Sequence, residues 1–296
     1  MKPNQLNAFS AVASHLSIRG AARALGLSQP GITRIVRELE RELDAPLVER
    51  GSKGVKLTPY GIAFAPRARQ LLEDMRRACD EIAQIRDGER GHVRMAVTSS
   101  FALTHLPGIF TEFHERNPSV DVHFSEAVMP GLLLQLLDGR LDFAVVHLAP
   151  ASVSPEFETI PLYTSPLVVG MRTHHPLRRT RSLRTLHEAE WILPGDGSLK
   201  LELVRPIFAP LNLEPPARIV QAQSVAVALG LVSKTDLIGV FAEELVDVAF
   251  KNHGIRRVEI LEAIPPLQVC VVKRRERQLT PAAQQFVDCM MSNLKA

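Results

Sequence analysis

The chain has 296 residues, of which 46% are hydrophobic and 23% charged, proportions that exclude wholesale disorder and predict about two globular domains. No run approaches the roughly 18 uninterrupted apolar residues of a membrane span, MKPNQLNAF lacks the apolar stretch of a secretion signal, and the scattered Cys79, Cys270 and Cys289 suit a reducing cytoplasm better than a disulfide framework. The net charge of +3 divides unevenly, with 14 Lys+Arg against 10 Asp+Glu in residues 1–87 and 21 against 22 beyond, so a polyanion partner would meet the first third.

The first 45 residues read as three short helices. Leu6, Phe9, Ala13 and Leu16 fall at helical spacing in the first. Ser17 is a plausible N-cap for a second helix, Ile18 to Leu25, which Gly26 ends. Ser28 caps a third, with Pro30 in its first turn, where a missing N–H costs nothing. Helix, tight glycine turn, helix is the helix-turn-helix pattern. At about 100° per residue, Ile32, Ile35, Val36, Leu39 and Leu43 share one arc of the third helix, and Gln29, Pro30, Thr33, Arg34 and Arg37 the opposite one. The second arc is either a solvated face or a base-reading surface; the preceding helix and turn favour DNA, since Arg grips guanine and Gln adenine bidentately.

Residues 46–58 predict a two-stranded hairpin with the basic tip Lys53 between Gly51 and Gly54. Thr58-Pro59 then starts a long helix to about Asp87. Its seam of Ala65, Ala68, Leu72, Met75, Cys79, Ile82 and Arg86 predicts a dimerising linker. After Gly88 to Gly91, strands (Val93–Val97, Val120–Glu126, Asp142–Val146) alternate with helices (Leu106–Glu115, Pro130–Leu137), a βαβαβ run that implies a parallel sheet. A second such unit covers Leu162 to Ile264, with strands at Pro166–Met171, Trp191–Leu193 and Ile238–Phe241 and a helix at Ser224–Val232. A last strand, Leu267–Val272, and a helix capped by Thr280-Pro281 close the chain. Two α/β lobes place a ligand cleft at the carboxyl ends of their parallel strands.

Ser17-Ile18-Arg19-Gly20-Ala21-Ala22, Leu25-Gly26-Leu27-Ser28-Gln29-Pro30, Thr33-Arg34 and Leu39-Glu40 resemble the winged helix-turn-helix of LysR-type transcriptional regulators. Leu43, Pro46-Leu47, Glu49-Arg50, Gly54 and Leu57-Thr58-Pro59-Tyr60-Gly61 continue the likeness, and Leu136-Leu137-Asp138-Gly139-Arg140-Leu141-Asp142 and Ala228-Leu229-Gly230-Leu231-Val232 extend it to the family's effector-binding domain. Val128-Met129-Pro130 and Leu279-Thr280-Pro281-Ala282-Ala283 are similar to the branch that includes the toluenesulfonate regulator.

The resemblance implies an α/β protein: a winged helix-turn-helix over residues 1–58, a linker and dimerisation helix over 59–88, and a two-lobed, Rossmann-like, periplasmic-binding-protein-like domain over 89–296. Lobe I would hold 89–161 and 267–296, with lobe II, 162–266, inserted. It further implies a homodimer or homotetramer on inverted-repeat duplex DNA, RNA polymerase as a further partner, and a small-molecule effector. By carry-over Gln29, Pro30, Thr33 and Arg34 match base- and phosphate-facing positions, and Arg50 and Lys53 match wing positions near phosphate; Ser28 and Arg37 complete the DNA set. Gly31 departs from the usual larger residue and weakens the helix by up to about 1 kcal/mol. In the cleft the candidates are Ser99, Ser100 and Phe101 after the first strand, Met129 after the second, His147 after the third, and Ser198, Lys200 and Ser224 in the second lobe. Lys200 as a fixed charge points to an organic acid or sulfonate, and His147, where some members use Arg, is either a pH-dependent anion contact or a satisfied structural histidine.

Signs of an enzyme are weak. There is no G-x-S-x-G, Walker loop or G-x-G-x-x-G. His114-Glu115 does not continue as H-E-x-x-H, His174-His175 lack further ligands at usable spacing, and residues 163–265 hold no cysteine pair for peroxide sensing. No metal or cofactor is expected. A constitutive regulator without effector and a solute-binding protein are the alternatives; the second would bind ligand but no DNA.

Overall fold

The computed structural model describes residues 1–51, 54–87, 91–127, 131–148, 153–194 and 200–294. Contacts divide the chain into one unit of Met1–Gly88 with Leu137–Arg140 and another of Glu89–Leu136 with Leu141–Ala296.

The first unit contains α1 (Pro3–His15), α2 (Ile18–Leu25), α3 (Gln29–Leu43), a hairpin of β1 (Val48–Gly51) and β2 (Gly54–Leu57), and α4 (Pro59–Asp87). Ala8, Val12, Ala21, Ala22, Ile32 and Val36 form one buried cluster. Leu16 is not part of it: it caps α1 in the left-handed region (φ 46°) with its side chain exposed. A second cluster joins Leu6, Phe9, Leu39 and Leu47 to Ala65 and Ala68 of α4, with Leu72 against it. The predicted linker seam therefore splits. Its first half is the winged helix's own core, and only Met75, Cys79 and Ile82, with Leu71 alongside, leave an exposed apolar stripe.

In the second unit, β3 (Gly91–Val97), α5 (Ser99–Thr104), α6 (Leu106–Arg116), β4 (Val120–Glu126), α7 (Gly131–Leu137), β5 (Phe143–Leu148) and β6 (Phe157–Ser165) precede the crossover at Pro166. Then come β7 (Leu167–Arg172), α8 (Leu183–Leu186), β8 (Trp191–Pro194), α9 (Lys200–Phe208), β9 (Ile219–Ala222), α10 (Val225–Lys234), β10 (Ile238–Ala242), α11 (Lys251–His253) and β11 (Ile255–Val258). The chain returns through β12 (Leu267–Arg274) to α12 (Pro281–Leu294). The sheets run β4-β3-β5-β12-β6 in lobe I and β11-β7-β10-β8-β9 in lobe II.

Both sheets are mixed, which corrects the expected parallel arrangement. β3 pairs with β4 and β5 in parallel, but β12 runs antiparallel to β5 and β6. In lobe II, β8 pairs with β9 and β10 in parallel, while β7 runs antiparallel to β10 and β11. The reason lies in the crossovers. β7 and β12 each enter a lobe from the cleft side, where the parallel strands end, so each must run against them. The expected lobe boundary at 161/162 lies inside β6, which stays in the lobe I sheet to Ser165.

Lobe I is held by β3 and β5 residues packed under α5, α6 and α12 around Phe101, Phe113, Phe143 and Phe286. In lobe II, Gly239 of β10 faces Gly170 of β7. A Cβ on Gly239 would meet the Phe241 ring at 2.3 Å, and one on Gly170 the Phe250 ring at 2.8 Å. The two rings cover the bare backbone edge-to-face, with centroids 5.3 Å apart.

Candidate functional site

The DNA-facing candidates are built on two caps. Ser17 Oγ accepts from Gly20 N at 3.1 Å, and Ser28 Oγ accepts from Gly31 N at 3.2 Å, each satisfying an orphan donor in a first turn. Between them Gly26 turns the chain with φ 65°, and Leu27 N donates to Ala22 O at 2.9 Å. Gly31 now has a reason: its missing Cβ would stand 3.0 Å from Ser28 Oγ, the atom that makes the cap.

Ile32, Val36 and Leu39 anchor one face of α3 at 0% exposure. Ser28, Gln29, Pro30, Arg34 and Arg37 are exposed and Thr33 half-buried on the other. The Arg34 side chain is 79% exposed, with Nε 3.8 Å from Glu38 Oε1, a solvent-screened pair that releases the guanidinium readily. Glu40 Oε1 accepts from Leu47 N (2.8 Å) and Val48 N (3.1 Å), fixing the hairpin to α3, and Val55 N donates to Leu16 O (3.1 Å), fixing it to α1. Arg50 lies in this ladder opposite Val55. Lys53 lies outside the described residues, as does the side chain of Arg50.

The effector candidates separate into four groups. Ser99 and Ser224, 125 positions apart, meet in one cavity of about 610 Å³ between the lobes, which Val97, Leu106, Phe124 and Glu126 line from lobe I and Val225, Leu229, Val248 and His253 from lobe II. Ser99 donates its hydroxyl to Glu126 Oε1. Ser100 and Phe101 do not line it. Both are buried, Phe101 completely, in the lobe I core. Met129, Ser198 and the side chain of Lys200 lie outside the described residues.

His147 stands elsewhere, at the hinge end of lobe I, in register with Val269 of β12, which pairs with Tyr163 of β6. Its Nε2 is buried without a hydrogen-bond partner among the described residues. Burial lowers its pKa, against the opposing pull of the Glu244 carboxylate. Burial and Glu244 together push the Tyr163 phenol up, and Ser165 Oγ donates to Glu244 Oε2 at 3.0 Å. The hinge thus holds a buried imidazole beside a carboxylate, and burial disfavours the protonated form that holding an anion would need.

Glu126 and His253 were missed by sequence reasoning. Glu126 ends β4 at the carboxyl edge of a parallel pair, where α/β ligands sit, so its position carried a usable signal. His253 lies in a helical turn whose relation to α10 depends on tertiary packing.

Residues 3–62 match the bacterial regulatory helix-turn-helix of the LysR family, and residues 86–295 match the LysR substrate binding domain. The chain belongs to the LysR family. It is thus a DNA-binding transcriptional regulator with an effector-binding domain, and the family consists of regulators, not enzymes. It is 27% identical over 289 residues to the regulator TdcA of Escherichia coli K12, covering 97% of this chain and 91% of TdcA. Against the regulator GbpR of Azospirillum brasilense it is 27% identical over 287 residues, covering 96% and 84%. The crystal structure of CbnR, a LysR family transcriptional regulator, superposes with a TM-score of 0.75 at 24% identity, covering 100% of both chains. Full-length CbnR complexed with its target DNA gives 0.71 at 24% identity, covering 99% of this chain and 100% of that one. Among the described residues no helix is long and apolar enough to cross a membrane.

Proposed function

We propose that this regulator reads an inverted-repeat operator with the first turns of α3 and that a small organic effector in the inter-lobe cavity alters how it does so. The observation that carries the DNA half is the capped start of α3, which exposes Gln29, Arg34 and Arg37 while Ile32, Val36 and Leu39 are wholly buried behind them. A helix held rigidly by its apolar face can present an Arg–Gln–Thr edge to a major groove without paying to order it. Arg50 is assigned to the phosphate backbone, as its hairpin position favours, and Lys53 by its place in the sequence between Gly51 and Gly54.

Pairing of two protomers would use the exposed stripe of Leu71, Met75, Cys79 and Ile82 on α4, and two such dimers would build a tetramer in the cytoplasm, from which RNA polymerase could be contacted. Effector binding would bias the lobes toward one closure, since a ligand shifts an equilibrium by its differential affinity for the two states. Ser99 and Ser224 are its first candidate contacts because they line one cavity from opposite lobes.

Arg34→Ala tests the DNA half. Specific operator affinity in an anisotropy titration should fall by about 1–3 kcal/mol, with binding to random duplex nearly unchanged. Equal affinity of variant and wild type for the operator would remove Arg34 from base reading.

A further inference from the structure

The charge of the inter-lobe cavity says more about its ligand than its shape does. Its hydrocarbon wall comes from both lobes, with Val97, Leu106 and Phe124 facing Val225, Leu229 and Val248. Among the described lining residues there is no Lys or Arg, and the one side chain with a fixed charge is Glu126. Its Oε1 receives the Ser99 hydroxyl, which holds the carboxylate at the cavity edge with its second oxygen still an acceptor. His253 turns its Nδ1 to Ala249 O, 2.8 Å away, and must donate to it, since a carbonyl only accepts, so only its second nitrogen remains for a ligand. Ser125 and Ser224 supply hydroxyls that can turn either way.

An organic acid here would bring a second negative charge toward Glu126 with no described counter-cation, and like charges at close range disfavour each other. An ammonium would instead donate to a carboxylate, a charge-assisted bond of the strong kind. Nor does the hinge rescue the acid: His147, one candidate for holding it, sits beside Glu244. The cavity of about 610 Å³ is of the size that takes a drug-sized ligand with an apolar body.

We propose that this cavity takes an amine with an apolar body, its ammonium resting on Glu126 and its hydrocarbon between α5 and α10. The inference rests on the reading of the cavity as the effector site.

The test uses the full-length protein and three probes that share one body: 2-phenylethylamine, 2-phenylethanol and 3-phenylpropionate, titrated calorimetrically at neutral pH. The amine should bind about tenfold more tightly than the alcohol, and the acid more weakly than either. Glu126→Gln should bring amine and alcohol to within about twofold, chiefly by weakening the amine. Ala226→Trp, at an exposed lining position, fills the cavity and should abolish binding of all three. Unchanged thermal midpoints show that both variants fold. If the acid binds as tightly as the amine and Ala226→Trp abolishes it, the amine inference falls and the cavity reading stands. A tenfold amine preference that survives Glu126→Gln also overturns the inference. Should no probe bind, or binding persist in Ala226→Trp, the cavity is not the effector site and both fall.

Discussion

Replacing Gly61 with alanine would place a Cβ 2.0 Å from the carbonyl oxygen of Leu47 and 3.0 Å from its carbonyl carbon. Ordinary van der Waals contact begins near 3.4 Å, so α4 and the start of β1 must part by more than about 1 Å, backbone against backbone. That same carbonyl accepts from Thr58 N at 3.1 Å, and Thr58 Oγ1 donates to Pro46 O at 2.5 Å. Separation weakens both bonds, worth about 1 kcal/mol each, and lifts Ala65 and Ala68 from the cluster of Phe9, Leu39 and Leu47. With about 1–3 kcal/mol for overpacking, the loss should be about 2–4 kcal/mol. For a unit of this size that is a fall of about 10–20 °C in midpoint. Trp191, the single tryptophan, is 1% exposed in lobe II, so its fluorescence reports that lobe alone. Melting followed by far-UV circular dichroism should show an early loss of helix in Gly61→Ala while the Trp191 transition stays in place. A dichroism curve superposable on wild type would refute the reasoning, because no relaxation of side chains can relieve a backbone contact.

Three further outcomes follow from the same geometry. Ser28→Ala removes the acceptor for Gly31 N and should cost about 1 kcal/mol, with urea titration followed by dichroism as the check and an unchanged midpoint as the contrary result. Gly239→Ala drives a Cβ to 2.3 Å from the Phe241 ring and should cost about 1–3 kcal/mol of stability, seen as a lower Trp191 midpoint, which a wild-type fluorescence melt would disprove. His147 has a folded pKa below its ordinary value of 6.5. The unfolded chain therefore takes up the proton first as pH falls, and stability should decline below about pH 6.5 until the folded ring also titrates. His147→Gln should flatten that slope in urea titrations at a series of pH values; an identical slope would show that His147 does not carry it.

What the sequence by itself determined were the features governed by neighbours in the chain. Ser17, Ser28 and Thr58 each bond an N–H three residues on, so caps, helix starts and the turn at Gly26 were legible, and with them the polar face of α3. The family motif extended that legibility to the two-lobed plan and to Ser99 and Ser224. Tertiary structure decided the rest. Ala65 and Ala68 look like the seam below them, yet pack on Phe9 and Leu47 from distant elements. β6, β9 and β11 escaped notice because their alternation is weak at the edges of their sheets. Strand direction was set by where the chain re-enters each lobe, which no local pattern records. Phe101 and His147, adjacent in motif to the cleft, turned to the core and the hinge, while Glu126 brought its charge to the cavity. A residue's type is written in the chain, but the charge a ligand meets is the sum over side chains that only folding gathers.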